Sequence, residues 1–421
     1  MKKYILIILC CLTSFPLWSY NVNMIVEHYS VDQGLPNNTV NCTLKDRDGF
    51  IWFGTWYGLC CFDGVKFKTF NKQEHDSDVP PRKIQRIVED KNGYIWVKTI
   101  DRKLYVFNKV TECFHAVYDD MKNYSENIQV IKLQNTAEGD VLLLTKDKNL
   151  LLAGVDEKGQ VTIKILFDSR DEINKHDYTL KHHVLCETEE YISWIGTDYK
   201  VSAVHKGAEL ASRPADFITS KINSGDKDSF TSFFEDGRKV WVGDRAGIFY
   251  SIDVRTGLVN RYVLSEIKGA ISNLLVTPAG YVYLSVAGQG TYEYDLAERR
   301  LQKINTEMND AMVTHAFIDQ YDKIWFHENE KALIYYDPLN HTAKRFPFTM
   351  FGKITTLYSE DAGERGLFFL SPAGEAWLFD REHAEMVYIN KLKQLSNDRA
   401  NQQFYHLMLD NDGVLWAFLC R

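Results

Sequence analysis

The chain has 421 residues, 45% of them hydrophobic and 13% aromatic, and a formal net charge of −8. So many aromatic rings would be costly to leave in water, so the composition excludes a disordered chain. The acidic balance argues against nucleic acid or an anionic membrane as partner, and more so once Lys2 and Lys3 leave with a leader. The length exceeds one ordinary core and predicts one large repetitive domain or two ordinary ones.

The N-terminus, "MKKYILIILCCLTSFPLWSY", sets two lysines before an apolar run from Tyr4 to Leu12, with Ser19 where a peptidase would cut. This is the form of a secretory signal over residues 1–20, too short and one-sided for a membrane span. A lipoprotein reading through Cys10 or Cys11 is weaker, because neither follows a small residue. No later segment reaches the roughly 18 apolar residues of a span; the richest, "VLLLTKDKNLLLAGV", is broken by Lys146, Asp147 and Lys148. Cys42, Cys60, Cys61, Cys113, Cys186 and Cys420 follow the leader without C-x-x-C spacing. They read as free thiols in apolar runs, with a Cys42–Cys60 or Cys42–Cys61 bridge as the alternative in an oxidising compartment.

From Asp46 onward the chain repeats itself. "DRDGFIWFGTWYGLCCFDGVKFKTF" is followed by "DKNGYIWVKTIDRKLYVFNKVTECF" from Asp90 and by "EDGRKVWVGDRAGIFYSIDVRTGLVNRY" from Glu235. Weaker copies surround Trp194, Tyr283 and Trp325, and the chain ends on "DNDGVLWAFLCR" with Trp416. The central aromatics, Trp52, Trp96, Trp194, Trp241, Tyr283, Trp325 and Trp416, stand about 42 to 47 residues apart, with two intervals about double. The doubled intervals hold degenerate units near "GDVLLLTKDKNLLLAGV" and "RGLFFLSPAGEAWLFD", giving eight units and a partial ninth.

Within a unit, runs such as "TVNCTL", "FIWFGT", "GLCCFD" and "KFKTF" are separated by Gly, Asp and Asn turns, with no helical period. Four short strands at this period predict an all-β fold, a propeller of four-stranded blades. Turn chemistry and packing assign most of the first motif to the fold: Asp48 and Gly49 make the hairpin turn, Trp52 fills the wedge between blades, and Gly54 admits a close backbone. Trp56 and Tyr57 are different, because the other copies carry unrelated residues there.

This pattern, preceded by "HYSVDQGLPNNTV" from His28, resembles the regulator-propeller repeat in the periplasmic sensor region of Bacteroidetes hybrid two-component histidine kinases. The resemblance is sharp over Tyr29 to Phe70, good at Trp96, Trp194 and Trp241, and diffuse elsewhere. It implies a pair of seven-bladed propellers, an Ig-like module, a transmembrane helix, and kinase, receiver and DNA-binding parts. It also implies a periplasmic sensor of glycan breakdown products that controls polysaccharide-utilisation genes. Seven blades would close near Phe346 to Phe348, so the resemblance divides the chain into one propeller over 21–348 and the first blades of a second, incomplete one over 349–421. One eight-bladed ring with a stub is the alternative, and "MIVEHYS" is a candidate outer strand that fastens a ring shut. No second hydrophobic segment, kinase glycine motif or receiver follows, so the chain reads as truncated before the output parts, without enzyme activity of its own.

In a propeller, the loops between second and third strands and those between blades emerge on one face, where ligands gather. The first set includes Trp56-Tyr57, Asp101-Arg102-Lys103, Asp147-Lys148-Asn149, Asp198-Tyr199-Lys200, Asp244-Arg245 and Glu328-Asn329; the second includes Asn37-Asn38, Arg82-Lys83, His182-His183 and Asp228-Ser229. From these, Trp56, Tyr57 and Tyr199 are candidates to stack on a sugar. Arg82, Arg102, Lys200 and Arg245 are candidates to bind its hydroxyls or an acidic group, and Asp244 is a further ligand-binding candidate. Each, taken alone, also fits a solvated loop position. Adjacent His182 and His183 point apart on a strand, and Asp46 with Asp48 lacks the remaining ligands of a Ca²⁺ loop, so no metal and no cofactor is expected.

Nucleophile elbows, H-E-x-x-H and P-loops are absent from the sequence. "DRDGFIW" is similar to the Asp-box of sialidase propellers but lacks its Ser/Thr before the Asp and its Thr-Trp ending. The leading reading is therefore an oligosaccharide-binding module, with dimerisation left open. A propeller-fold polysaccharide lyase or glycosidase is the alternative, and a WD40-type scaffold is disfavoured because Gly-His and Trp-Asp signatures are missing.

Overall fold

The computed structural model describes residues 27–70, 80–121, 129–146, 149–167, 185–188, 190–195, 201–207, 215–216, 230–304, 313–352, 357–392, 403–410 and 414–420. Eight four-stranded antiparallel sheets follow one another along the chain, and a two-stranded sheet comes last. They are numbered here sheet 1 (40–70), 2 (84–116), 3 (130–167), 4 (185–216), 5 (230–263), 6 (271–303), 7 (313–347), 8 (358–391) and 9 (403–420). Every four-stranded sheet keeps its strands in chain order, so each is a meander. The only α-helix among the described residues is Tyr118–Met121. The all-β, propeller-type reading of the sequence is borne out.

Sheet 1 shows why these residues form a blade. Its strands are Val40–Lys45, Ile51–Thr55, Gly58–Phe62 and Phe67–Phe70. Every residue of the two middle strands is buried, because both faces of the sheet are covered by neighbours. They therefore read as continuous apolar runs rather than alternating ones. The hairpin between them has a two-residue tip, Trp56 and Tyr57, closed by Gly58 at φ +136°.

The turn before the tryptophan is braced from Asp46, six residues ahead of Trp52. One carboxylate oxygen of Asp46 accepts from the backbone N–H of Asp48 (3.0 Å) and Phe50 (2.9 Å), and the other from the Trp52 indole N–H (2.8 Å). The brace recurs between Trp96 and Asp90 (2.9 Å), Trp241 and Asp236 (2.6 Å), Trp325 and Asp319 (3.2 Å), and Trp416 and Asp410 (2.8 Å). It satisfies the one polar atom of a ring that otherwise sits in the apolar wedge. Trp194 lies in strand Tyr191–Ile195, but its side chain is outside the described residues.

Nine hydrophobic clusters lie between the sheets, and each joins consecutive ones. Trp52 packs with Phe107 of sheet 2, Trp241 with Tyr294 of sheet 6, and Trp325 with Phe369 and Phe379 of sheet 8. Phe346, Phe348 and Phe351 belong to the same cluster as Leu367 and Phe379, so the packing runs without a break across the division that the resemblance placed after residue 348. The ninth cluster joins Trp416 and Phe418 of sheet 9 to Phe53, Cys60 and Phe62 of sheet 1, so the last sheet returns to the first.

The first strands stand beside one another, Val40–Lys45 on Ile84–Glu89 and Phe230–Glu235 on Ile271–Val276 among them, and so face the middle of the ring. In sheets 1, 2, 3, 5, 6 and 7 the register slips at the second residue of the first strand, and in sheet 9 at the third, leaving Asn41, Gln85, Ile131, Thr231, Ser272, Thr314 and Tyr405 as bulges. A bulge frees a side chain from the ladder and re-aims it. Asn41 donates to the carbonyl of Ile84 (2.8 Å) and Thr231 to that of Ile271 (2.7 Å), in each case the first residue of the next sheet. Tyr405 of sheet 9 donates in the same way to the carbonyl of Val40, the first residue of sheet 1.

Candidate functional site

The hairpin tip of sheet 1 and the entry to sheet 2 meet. The Trp56 carbonyl accepts from the Lys83 N–H (2.9 Å), and the Lys83 ammonium lies 5.3 Å from the centre of the Trp56 ring. Trp56 is 41% exposed and Tyr57 61%, unlike Trp52 two turns of the pleat away, which is buried. The Lys83 carbonyl accepts from Ile100 at the hairpin tip of sheet 2 (2.9 Å), which places Arg102 on the same rim. Arg102 donates to the side chain of Gln129 (3.2 Å), and its backbone carbonyl accepts from Val130 at the start of sheet 3 (3.1 Å). Lys83 and Arg102 both hold a left-handed backbone, at φ +51° and +67°, which costs a non-glycine residue energy.

Below this rim Lys98 is 5% exposed, with its ammonium on the amide oxygen of the bulge residue Gln85. Arg86 is its cross-strand register partner. Burial, and then the charge of Arg102, lower the Lys98 pKa. Burial, and then Arg86, likewise lower that of His406 in sheet 9.

Of the residues singled out from the sequence, Trp56, Tyr57, Arg82 and Arg102 fall on this rim, and Arg82 is exposed there. Arg245 is exposed on sheet 5, and no contact joins it to the others among the described residues. Asp244 is a correction: it is buried, with one oxygen accepting from the N–H groups of Ala246 (2.9 Å) and Ile248 (2.8 Å) and the other near Tyr250 Oη (3.4 Å). It shapes the hairpin and presents no group to a ligand. Tyr199, Lys200, His182, His183, Asp147, Lys148, Asp228 and Ser229 lie outside the described residues.

Two further readings change. The turn carboxylate that matters to the fold is Asp46 rather than Asp48, which is exposed and paired with Lys109 at 2.7 Å. Asp46, Asp48 and Glu89 are close enough to hold a cation, but the Lys109 ammonium already sits among them at 3.1, 2.7 and 2.8 Å. Burial pulls the Lys109 pKa down, and the three carboxylates more than reverse it. Cys42, Cys60, Cys61 and Cys113 are free thiols.

Sequence reasoning missed Gln85, Arg86 and Lys98. A signal existed for Lys98: two places after the central aromatic, other units carry Gly54, Gly243 and Ser285, and a lysine there is out of pattern. At that position a side chain faces the first strand of the next sheet; a Cβ on Gly54 would meet Ile84 at 2.5 Å and one on Gly243 would meet Ile271 at 2.7 Å.

Residues 34–57, from the entry segment through the Trp56-Tyr57 tip, match the family model described as Two component regulator propeller. The resemblance read from the repeat is borne out there: the chain carries a two-component regulator propeller repeat. Among solved structures the chain is similar to the extracellular domain of the putative one component system BT4673 from B. thetaiotaomicron, at 13% identity and TM-score 0.38, over 92% of this chain and 64% of that one. It is similar to the extracellular domain of the putative hybrid two component system BT3049 from the same organism, at 16% identity and TM-score 0.36, over 93% and 51%. It is also similar to the Dos1 propeller, at 11% identity and TM-score 0.48, over 79% and 89%. The chain thus spans about half to two thirds of the length of the two B. thetaiotaomicron chains. No curated protein matches it.

Proposed function

We propose that this protein is an extracytoplasmic sensor module that binds an oligosaccharide released from a glycan, on the rim where Trp56 stands. In a longer protein of the regulator-propeller kind, that binding controls a histidine kinase across the inner membrane. The observation that carries the reading is Trp56-Tyr57, two exposed aromatics at the tip of a hairpin whose other residues are buried. An exposed aromatic face beside forked and ammonium donors suits a sugar ring and its polar edge. The regulator-propeller match over residues 34–57 supports a sensor rather than a hydrolase or lyase.

For the architecture we propose one closed ring of nine stations, the ninth being the hairpin of sheet 9, in place of seven blades and the start of a second propeller. Its support is the unbroken succession of nine inter-sheet clusters and the Tyr405 bond to Val40, which repeats the bonds between neighbouring sheets.

Calorimetric and thermal-shift screening of the purified chain against plant and host oligosaccharides tests the function. Saturable binding with no turnover is the expected result. Cleavage of a polysaccharide by a chain that binds none of its oligosaccharides would overturn it.

A further inference from the structure

The cations of this protein fall into two groups. Most of those that lose contact with water are met by carboxylates: Lys109 by three, Lys206 by Glu138 and Glu187, Lys323 by Asp337, Arg345 by Glu328, and Arg381 by Asp319 and Asp361. The rim of sheet 2 departs from that rule. Lys98 is the most enclosed of its cations, and among the described residues its ammonium has only the amide oxygen of Gln85. Arg86, its register partner, and Arg102 at the hairpin tip are exposed and make no ion pair with a carboxylate among the described residues, nor do the exposed Arg82 and Lys83. Asp101, at the same hairpin tip, accepts from the Thr99 hydroxyl and pairs with Lys103 at 3.6 Å.

In a chain with a net charge of −8, carboxylates are plentiful, so this concentration of uncompensated cations is not a matter of composition. A buried ammonium near the Arg102 guanidinium is destabilising for the empty protein: desolvation first, and then like-charge repulsion, act against it. An anion seated between them removes both penalties.

From this arrangement we infer that Arg86, Lys98 and Arg102 form a seat for a carboxylate or sulfate group, and that the oligosaccharide bound on the rim is therefore an acidic one, with its ring on Trp56. The inference rests on the oligosaccharide-binding reading above and names the class within it. Arg86 and Arg102 supply planar forks that match either anion, and Lys98 supplies a point charge from below. Lys83, over Trp56, adds a further cation at the edge of the platform. Attraction between a fixed cationic seat and an acidic sugar is screened by salt, so binding weakens as NaCl rises.

The test uses the whole chain and four probes by calorimetry: digalacturonate, a sulfated hexuronate-hexosamine disaccharide, the neutral disaccharide galactobiose, and sodium sulfate. Lys98→Met keeps the length of the side chain and removes the buried charge. It is expected to raise the Tm of the empty protein and to weaken binding of an acidic disaccharide at least tenfold; Arg86→Gln is expected to weaken it without raising Tm. A lower Tm for Lys98→Met, with affinity unchanged, would assign Lys98 to the fold and overturn the seat. Binding of galactobiose as tight as that of either acidic disaccharide, insensitive to both substitutions, would overturn the acidic class and leave the oligosaccharide reading standing. Sulfate alone binding as tightly as the disaccharides would make this a site for free anions and overturn the sugar part. If neither these disaccharides nor the wider oligosaccharide set binds, both readings fall.

Discussion

The ring of Tyr29 stacks on the indole of Trp416, with centroids 5.8 Å apart and planes at 23°. Two pairs inside the chain have the same form: Phe70 on Trp52 (5.4 Å, 27°) and Tyr262 on Trp241 (6.0 Å, 28°). In both, the partner comes from the fourth strand of the tryptophan's own sheet and also touches a third-strand aromatic of the next sheet, Phe107 or Tyr294. Tyr29 touches Phe62 of sheet 1 in the same manner, at 5.1 Å. It therefore holds, on sheet 9, the place that a fourth-strand aromatic holds elsewhere. Trp416→Ala is expected to cost about 3–5 kcal/mol. A double-mutant cycle with Tyr29→Ala is expected to give a coupling of about 0.5–1.5 kcal/mol. Additive effects in urea denaturation would count against closure through this contact.

Asp46 and Asp48 stand two residues apart in one motif and have opposite roles. Asp46→Ala orphans the Trp52 indole N–H and two turn N–H groups, and leaves Lys109 with one carboxylate fewer. The expected loss is on the order of 3 kcal/mol by urea denaturation. Asp48→Ala removes an exposed partner of Lys109 and is expected to leave the melting temperature nearly unchanged.

Gly54 is a packing glycine. Its Cβ would lie 2.4 Å from Cys42 Sγ and 2.5 Å from Ile84 Cγ2. Gly54→Ala is expected to destabilise by about 1–3 kcal/mol through overpacking of sheet 1 against sheet 2. Gly64, at φ +92° with open space around it, serves as the comparison: Gly64→Ala suffers backbone strain without a clash.

Trp52 and Trp56 separate fold from function. Trp52→Ala empties the wedge between sheets 1 and 2 and is expected to cost about 3–5 kcal/mol. Trp56→Ala is expected to change stability by no more than about 0.5 kcal/mol and to weaken oligosaccharide binding. Equal destabilisation by both, in matched melts, would refute the division.

The thiols give the protein a base-side pH dependence. Burial first, then Asp46 and Asp63, push the Cys61 pKa up to about 12, and burial raises that of Cys60 as well. An unfolded thiol ionises near about 8.5. Each folded pKa lies above its unfolded value, so the stabilising contribution is complete below about pH 8.5 and is lost as pH rises toward about 12. The urea midpoint is expected to fall over that window, and less steeply in Cys61→Ala. Native Cys60 and Cys61 are expected to resist iodoacetamide at pH 8 until the chain is denatured.

The blade was legible because its instructions are local. The Gly turns, the buried middle strands and the tryptophan every 42 to 47 residues or so each depend on residues close in sequence, and all appear where the pattern placed them. The turn acid was misassigned within that same pattern. Asp48 sits next to Gly49, but only the geometry of the hairpin points the Asp46 carboxylate at the indole six residues on. Asp244 looked like a loop charge and proved to be a turn acid for the same reason.

What the sequence determined by itself was the unit: four strands, their turns, the wedge residue, and the exposure of Trp56 and Tyr57, which no repeat rule requires. Two matters waited for the tertiary structure. One is closure, since no local pattern says that Tyr29 and Tyr405 meet Trp416 and Val40; that depends on how far each sheet rotates from the last, summed around the ring. The other is the rim of sheet 2, where a bulge sets Arg86 opposite Lys98 and the hairpin tip brings the charge of Arg102 to bear on Lys98. Of the three only Lys98 is buried, Arg86 and Arg102 being exposed beside it, and that burial is a property of the packed sheets rather than of the local sequence.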